Sequence, residues 1–352
     1  MNEAYRRITT ANERERQELF ASTARRIGIT EQSVEKDFWV CWTLDALFHG
    51  RRENAPRLLF KGGTSLSKAF GLISRFSEDI DITVFRQDLG EPVSIEDLEQ
   101  LSGKKRSAKL DEIRAACQQY LREELRPELE TLLFQAVGDN RDERAGVSSD
   151  DADPDGQTLL VRYPTALTAD AYVRSDVRIE CGAKSALDPH VNTTIRPYVA
   201  DDLTDLDLKV ADVVTIEPTR TFWDKVVITH GLRGWFDNRG ELRQEGQRIS
   251  RHYYDLHVMS RTDAANQALA DRQLGAECVR HARLFFNRTP FNLDTATPGS
   301  FALTPMDKMR DALRRDYDAM AGMIIGPVPA FEDVITSITS IENRLNEGAK
   351  PS

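Results

Sequence analysis

A pair of glycines between an apolar run and an acidic segment constrains this chain more than any other feature. Leu58-Leu59-Phe60 predicts a short buried strand, and Gly62-Gly63 follows it after a single lysine. Glycine lets the backbone approach a ligand closely, and Thr64 or Ser65 can cap a helix that begins here. Free amide groups at a helix start are suited to bind phosphate oxygens. The segment therefore predicts a strand, a tight turn and a helix with a candidate phosphate site.

Two aspartates separated by one apolar residue come next. Asp79 and Asp81 alternate with Ile80 and Ile82. Because the side chains of a strand alternate between its faces, both carboxylates share one face and both isoleucines face the core. Neighbouring carboxylates repel each other, and a divalent cation such as Mg²⁺, which prefers hard oxygen ligands, offsets that repulsion. A phosphate cradle followed by paired metal carboxylates is typical of phosphoryl or nucleotidyl transfer.

Each motif alone favours a structural interpretation, either an ordinary glycine loop or a solvated strand end. Their order in one segment favours a site. Since no Gly-Lys-Ser/Thr closes the glycine run, the segment is not a Walker A loop. The run from Lys61 to Lys68, followed by Arg75 to Asp81, resembles the first motif of the AbiEii-like nucleotidyltransferase toxins. This family includes the MenT toxins and belongs to the DNA polymerase β-type nucleotidyltransferase superfamily.

Two later segments resemble further motifs of this family, in the family's order. Thr221-Phe222-Trp223-Asp224-Lys225 matches a Thr-Phe-Trp-acid-Lys motif, whose lysine would neutralise the nucleotide triphosphate. By residue type alone, Lys225 would be an ordinary surface lysine of a helix. Arg251-His252-Tyr253-Tyr254-Asp255-Leu256 matches an Arg…Tyr-Asp-Leu motif, with His-Tyr where relatives carry Lys-Asp. Asp255 would hold Lys225 or Arg251 in place, or contact the nucleotide.

A third carboxylate is expected on a neighbouring strand, where enzymes of this superfamily use it to bind metal or to accept a proton. In the segment from Ser175 to Glu180, three charged residues share one strand face: Asp176, Arg178 and Glu180. We expect Glu180 to take this role, with Asp176 as the alternative. A charged face of an exposed strand without a function is the other interpretation.

The resemblance implies a complete set of site residues. Catalytic roles would belong to Asp79, Asp81, Glu180, Lys225 and Asp255, and one or two Mg²⁺ ions would be bound by Asp79, Asp81 and Glu180. Nucleotide binding would involve Lys61, Gly62, Gly63, Thr64, Ser65, Ser77, Lys225 and Arg251. A separate hypothesis is that phosphorylation of Ser77 sets negative charge against the metal carboxylates, provided that the strand begins early enough to include it.

The fold class expected from this resemblance is α/β (α+β), with a polymerase β-type nucleotidyltransferase domain built on a mixed sheet and a mainly helical C-terminal domain. The first domain would span residues 1–212, with a helical insert at about residues 90–156, and the second residues 213–352. The cleft between them would hold NTP and Mg²⁺. Periodicity predicts these further elements: helices Glu13–Arg26 and Ser33–Phe48, a mobile acidic loop Gly138–Gly156, strands Thr158–Tyr163 and Ala171–Cys181, an acidic connection Asp201–Asp212, and a helix that begins near Pro218 with Thr221 as its cap.

Composition limits the partners. A net charge of −10 argues against general coating of nucleic acid and against an anionic membrane surface. RNA contact would need a local basic patch, and the arginine-rich loop from Arg233 to Arg251 is the best one, with Trp235 and Phe236 able to stack on a base. An exposed, solvated loop with a buried tryptophan is the equally supported interpretation of this segment. Four scattered cysteines and the lack of an apolar run of membrane length predict a soluble protein of the cytoplasm.

The predicted reaction is attack of an acceptor hydroxyl on the α-phosphorus of an NTP, which releases pyrophosphate. By resemblance, the acceptor is the 3′ end of a tRNA, and the protein is the toxin of a bacterial toxin–antitoxin system of type IV, the abortive-infection type. Its partner would be an antitoxin encoded alongside it. Two alternatives stay open: transfer of the nucleotide onto a protein hydroxyl, and a nucleotide-binding regulator without turnover.

Overall fold

The computed structural model describes residues 1–77, 79–167, 175–243 and 248–347. The chain forms two compact units. The first contains Met1–Ala69, Phe76–Ser94 and Gln100–Ile216, and the second contains Phe70–Arg75, Ile95–Glu99 and Glu217–Ser352. The predicted boundary at residue 212 falls inside a strand that continues to Ile216.

Within the described residues, the first unit is built on a seven-stranded mixed sheet in the order β3-β4-β5-β2-β1-β7-β6. The strands are β1 (Leu58–Lys61), β2 (Asp79–Val84), β3 (Gly146–Ser149), β4 (Thr158–Arg162), β5 (Asp176–Gly182), β6 (His190–Ile195) and β7 (Val210–Ile216). The β1/β7 and β2/β5 pairs are parallel, and the other neighbours are antiparallel. The predicted mixed sheet and the α/β class are confirmed.

Helices precede and follow the first strands. They are α1 (Ala4–Thr9), α2 (Glu13–Ile27), α3 (Glu31–Asp45), α4 (Gly62–Lys68), α5 (Ile95–Gln100), α6 (Gly103–Tyr120) and α7 (Arg126–Val137). A π-helical turn extends α3 to Gly50, and another joins α6 to α7. The two predicted N-terminal helices are confirmed. Asn12 starts α2 with a capping box, and α3 buries Trp39 and Trp42 in the core.

The strands of the first unit differ from the sequence-based expectations in three places. The prediction of a mobile acidic loop over Gly138–Gly156 is wrong at Gly146–Ser149, because β3 lies there and pairs antiparallel with β4, with Val147 opposite Val161. This strand is too short to show periodicity, and its pairing partner stabilises it. The predicted strand Ala171–Cys181 is observed as β5 from Asp176, while residues 168–174 lie outside the described part of the chain. The edge strand β6 was not predicted, since its sequence is mostly polar.

The second unit is mainly helical, as expected. Its further helices are α8 (Pro218–Arg239), α9 (Ser250–Met259), α10 (Asp263–Ala270), α11 (Arg272–Phe285), α12 (Asp307–Met320) and α13 (Phe331–Asn346). Pro218 occupies the first turn of α8, where its missing amide hydrogen costs no intrahelical bond. Thr221 is not the cap, because the helix starts three residues earlier. Among the described residues, no helix is both long and apolar enough to cross a bilayer.

Candidate active-site residues

Strand register brings the predicted carboxylates of the first unit onto one face of the sheet. Asp81 pairs with Lys61 on β1 and with Glu180 on β5, and Asp79 pairs with Arg178 on β5. Residues paired across strands point to the same face. We call these five residues the carboxylate patch. The intervening residues Ile80, Ile82 and Ile179 are fully buried on the opposite face, which confirms the predicted alternation.

The two cations of the carboxylate patch are paired with its acids. Lys61 Nζ lies 3.8 Å from Asp81 Oδ1, and Arg178 Nε lies 3.2 Å from Glu180 Oε1. On its other side, Arg178 Nη1 lies 3.3 Å from Asp150 Oδ2, at the end of β3. Each of the acids Asp81 and Glu180 therefore has a positive neighbour within the sheet.

Gly62 is required by the Asp81 carboxylate. Its φ angle is +80°, a conformation that residues with a side chain rarely adopt. A Cβ atom at this position would lie 1.8 Å from Asp81 Oδ2, which is far inside van der Waals contact. The glycine thus permits a close approach of backbone and carboxylate, in addition to the phosphate contact that its sequence predicts.

The hydroxyl groups after the glycines serve packing inside the first unit. Helix α4 begins at Gly62, so Thr64 and Ser65 lie inside it, and the prediction that either caps the helix is wrong. The Thr64 hydroxyl donates to the carbonyl oxygen of Asp79 and lies 2.7 Å from Ser77 Oγ, while Ser65 donates to the carbonyl oxygen of Gly62 at 2.9 Å. Both side chains are fully buried. Thr64 therefore ties α4 to the start of β2.

Ser77 lies before β2, which begins at Asp79. The condition attached to the phosphorylation hypothesis, that the strand includes this serine, is therefore not met. Its Oγ is nevertheless held within hydrogen-bond distance of Thr64. Glu78, between Ser77 and the strand, lies outside the described residues.

The carboxylate patch has the donor chemistry that Mg²⁺ prefers. Asp79 and Asp81 present carboxylates from one strand face, and Glu180 lies beside Asp81. Among residues 1–77, 79–167, 175–243 and 248–347, however, no group of three or more His, Cys, Asp or Glu side chains is arranged to hold a metal ion. Asp176, the alternative third carboxylate, pairs in register with Arg162 of β4 and precedes the part of β5 that pairs with β2. The backbone register therefore favours Glu180 over Asp176.

In the second unit, Asp255 of α9 is the centre of a buried ionic triad formed with Arg75 and Lys225. Arg75 donates to both carboxylate oxygens, with Nε 2.8 Å from Oδ1 and Nη2 3.0 Å from Oδ2. Lys225 Nζ, from α8, lies 2.7 Å from Oδ2. The Asp255 side chain has no solvent exposure, and those of Arg75 and Lys225 are 5% and 7% exposed. Both oxygens of Asp255 are thus engaged by cations.

The charges of the triad shift one another's protonation. Burial raises the pKa of Asp255. The positive charges and hydrogen bonds of Arg75 and Lys225 lower it by a larger amount, so the net pKa lies well below its usual value. Burial lowers the pKa of Lys225, Asp255 opposes this, and Arg75 and Arg251 add to the decrease. The net pKa of Lys225 is below that of an ordinary lysine.

His252 lies next to this triad on α9. Burial and the charges of Lys225 and Arg251 hold the pKa of His252 well below its usual value, so the imidazole is neutral at pH 7. Its Nδ1 atom is buried without a hydrogen-bond partner among the described residues. Arg251 itself is exposed at the start of α9.

The second unit thus brings Lys225 and Asp255 together, as the sequence suggested, and adds Arg75. Arg75 was not among the site residues expected from the sequence, although it belongs to the segment that resembles the first family motif. Its position there, as a basic residue four places before Asp79, was the available signal. The acid that it pairs with is remote in sequence, so the pair could not be identified from local pattern.

The predicted arginine-rich loop is helical at both of its ends. Trp235 and Arg239 belong to α8, and Arg251 belongs to α9, so the prediction of a loop is wrong for these residues. The guanidinium groups of Arg239 and Arg243 lie 5.6 and 5.9 Å from the centre of the Trp235 ring, and the Phe291 ring also packs near Trp235. Residues 244–247 lie outside the described part of the chain.

Comparison with known proteins identifies the family. The sequence model of the family described as nucleotidyl transferase AbiEii toxin, type IV toxin–antitoxin system, matches residues 45–337. A solved structure of MenT4, a nucleotidyltransferase toxin from Mycobacterium tuberculosis H37Rv, aligns with 93% of this chain and 97% of its own at 14% identity and a TM-score of 0.42. No curated protein matches the chain. The family match spans most of the chain, including the carboxylate patch and the buried ionic triad. The chain therefore belongs to the AbiEii family of nucleotidyltransferase toxins of type IV toxin–antitoxin systems.

Proposed function

We propose that this toxin is a Mg²⁺-dependent enzyme that transfers a nucleoside monophosphate from an NTP to an acceptor hydroxyl and releases pyrophosphate. The acceptor is the 3′ end of a tRNA. The observation that carries the proposal is the register of β2 and β5, with Asp79 and Asp81 on one sheet face and Glu180 beside Asp81. Paired carboxylates on a strand that follows a glycine turn suit phosphoryl chemistry.

In the carboxylate patch, Asp79 and Asp81 would hold the metal ion. When bound, Mg²⁺ neutralises charge on phosphate oxygens and orients them for in-line displacement. Glu180 would serve as a third ligand or would accept the proton of the attacking hydroxyl. Its carboxylate is paired with Arg178, so either role requires that this pair separates.

Gly62 and Gly63 would let the triphosphate approach the backbone, and Lys61 would contribute a positive charge beside it. The buried hydroxyl groups of Thr64 and Ser65 already donate within the protein. Their proposed part in nucleotide binding is therefore to shape the backbone of α4. Ser77 would support the same turn through Thr64.

In the second unit, Lys225 would neutralise negative charge on the triphosphate, and Arg251 would contact the nucleotide from the exposed start of α9. Asp255 would act as a positioning residue. Both of its oxygens are engaged by Arg75 and Lys225 and its side chain is fully buried, an arrangement suited to orient Lys225. This supports the first of the roles expected for Asp255, which was to hold Lys225 in place.

The cluster of Arg239 and Arg243 around Trp235 supports an RNA acceptor, because guanidinium groups over an aromatic ring suit phosphate and base contacts. Transfer onto a protein hydroxyl is the second candidate, and the net charge of −10 favours it. Membership of a toxin–antitoxin family implies an antitoxin partner.

The test is nucleotide transfer from each of the four α-labelled NTPs, with Mg²⁺, onto total tRNA and onto whole-cell protein. An Asp79→Ala variant is the control. Label on tRNA that requires Asp79 would support the proposal and would identify the preferred NTP. Label on protein would replace it with the second candidate. NTP binding without transfer to either acceptor would favour a regulator without turnover.

A further inference from the structure

Arg178 lies between a buried acid and a half-exposed acid. Its Nη1 atom is 3.3 Å from Oδ2 of Asp150, whose side chain is 9% exposed. Its Nε atom is 3.2 Å from Oε1 of Glu180, whose side chain is 44% exposed. Arg178 thus joins one acid that is buried in the fold to one that is partly exposed to solvent.

Asp150 is held by its own turn, independently of Arg178. Its Oδ1 accepts a hydrogen bond from the amide of Ala152 at 3.0 Å, and its amide donates to the carbonyl oxygen of Thr158 at 3.0 Å. The Oδ2 atom is the oxygen that faces Arg178. Removing Glu180 from Arg178 therefore leaves the guanidinium with a buried partner. This lowers the cost of separating the pair, because an uncompensated charge is not left behind.

Arg178 also lies beside the proposed metal ligands in the sheet. It pairs in register with Asp79, while Glu180 pairs with Asp81 on the same strands. Together with Asp150, the carboxylate patch contains four carboxylates and two cations, Lys61 and Arg178. The excess of two negative charges matches one divalent cation. Among the described residues, Lys61 and Arg178 pair with Asp81 and Glu180 and so offset part of the repulsion among these acids.

We propose that Arg178 is an internal counter-ion that competes with the divalent cation for Glu180. Binding of the metal ion by Asp79 and Asp81 draws Glu180 away from Arg178, and Asp150 retains the guanidinium. This explains why the register brings three acids together while their side chains do not form a three-donor group among the described residues. The inference rests on the proposed Mg²⁺-dependent function, since it concerns the same carboxylates.

The experiment is calorimetric titration of the full-length protein with Mn²⁺, in the absence of nucleotide. Arg178→Ala is expected to lower the dissociation constant of Mn²⁺ by about two- to fivefold, the range expected for loss of a partly exposed ion pair. Arg162→Ala, which removes an exposed arginine from the neighbouring strand β4, is the charge-matched control and is expected to change the constant much less. In an Arg178→Ala/Glu180→Gln double variant, the gain should be lost, because Glu180 can no longer bind the metal ion.

Equal Mn²⁺ affinity of Arg178→Ala and wild type would overturn the inference, as would an equal gain in Arg162→Ala. A gain that persists in the double variant would also overturn it, because the effect would then not involve Glu180. Nucleotide transfer separates these results from a failure of the proposed function. If the protein binds Mn²⁺ and transfers nucleotide but Arg178→Ala does not change the Mn²⁺ affinity, only the inference about Arg178 is rejected and the proposed function is retained. Absence of both Mn²⁺ binding and transfer, in wild type and variants alike, would reject both.

Discussion

Lys225 Nζ lies 2.7 Å from Oδ2 of Asp255, a carboxylate with no solvent exposure, and Arg75 donates to both oxygens of the same carboxylate. A lysine in such a site keeps its proton only if a counter-charge compensates for the loss of water. Asp255 supplies that charge. The pair joins Lys225, which is expected to act on the nucleotide, to Asp255, which is expected to position Lys225.

Replacement of Asp255 by Asn should destabilise the protein by about 3–5 kcal/mol, because it leaves Lys225 and Arg75 buried without a counter-ion. The free energy of unfolding from urea titration measures this change. The matched control is Asp237→Asn, which breaks an exposed pair with Arg233 on α8. It should cost less than about 1 kcal/mol. Similar effects of the two variants would contradict the importance of the triad.

The stabilisation by Asp255 should depend on pH in a defined direction. Burial raises the pKa of Asp255, but Arg75 and Lys225 lower it by more, so the folded value lies well below that of the unfolded chain. The contribution is therefore fully present above the unfolded pKa of about 3.9 and is lost as the pH falls from there towards the folded value. The difference in the free energy of unfolding between wild type and Asp255→Asn should be the same at about pH 7 and about pH 5, and smaller at about pH 3. A difference that widens towards acid would refute this assignment.

Gly62→Ala should reduce nucleotide transfer by about a hundredfold or more, because the new Cβ atom displaces the Asp81 carboxylate. Gly71→Ala is the control for backbone strain. Gly71 also has a positive φ angle, of +62°, but no atom lies within 4 Å of the added Cβ. It should lose about 1 kcal/mol of stability and keep its activity. Comparable rates for the two variants would show that the contact with Asp81 is not critical.

Glu180→Gln should lower the rate of transfer by about a hundredfold or more, since it removes a proposed metal ligand or base. Asp176→Asn should lower it by less than about threefold, because Asp176 pairs with β4 and not with β2. Single-turnover rates with saturating NTP distinguish the two. A larger effect at Asp176 would reverse the assignment of the third carboxylate.

Ser77→Glu should lower transfer by about tenfold or more, because it places negative charge two residues before Asp79, beside the Thr64 hydroxyl that binds the Asp79 carbonyl oxygen. Ser77→Ala removes the hydroxyl without adding charge and should keep most of the activity. Initial rates of transfer measure both effects. Full activity of Ser77→Glu would remove the support for regulation by phosphorylation at this serine.

Local pattern was sufficient for several parts of the site. The alternation of Asp79, Ile80, Asp81 and Ile82 determines which side chains share a face, because successive residues of a strand point in opposite directions. The order of strand, glycine pair and helix was also predictable, because apolar runs and glycines influence the backbone conformation of their immediate neighbours. Helix starts were less predictable. Thr64 and Thr221 are good capping residues by type, but the helices begin before them.

Only the tertiary structure decided which distant residues meet. The parallel register of β2 and β5 places Glu180 rather than Asp176 beside Asp81, and a shift along the strands would change the choice without altering either sequence pattern. The contacts of Gly62 with Asp81 and of Arg75 with Asp255 likewise join separate elements. The sequence by itself determined the family, the face of each carboxylate and most helices, because these depend on neighbouring residues. Register, burial and ionic partners depend on how the chain packs, and the tertiary structure alone specifies them.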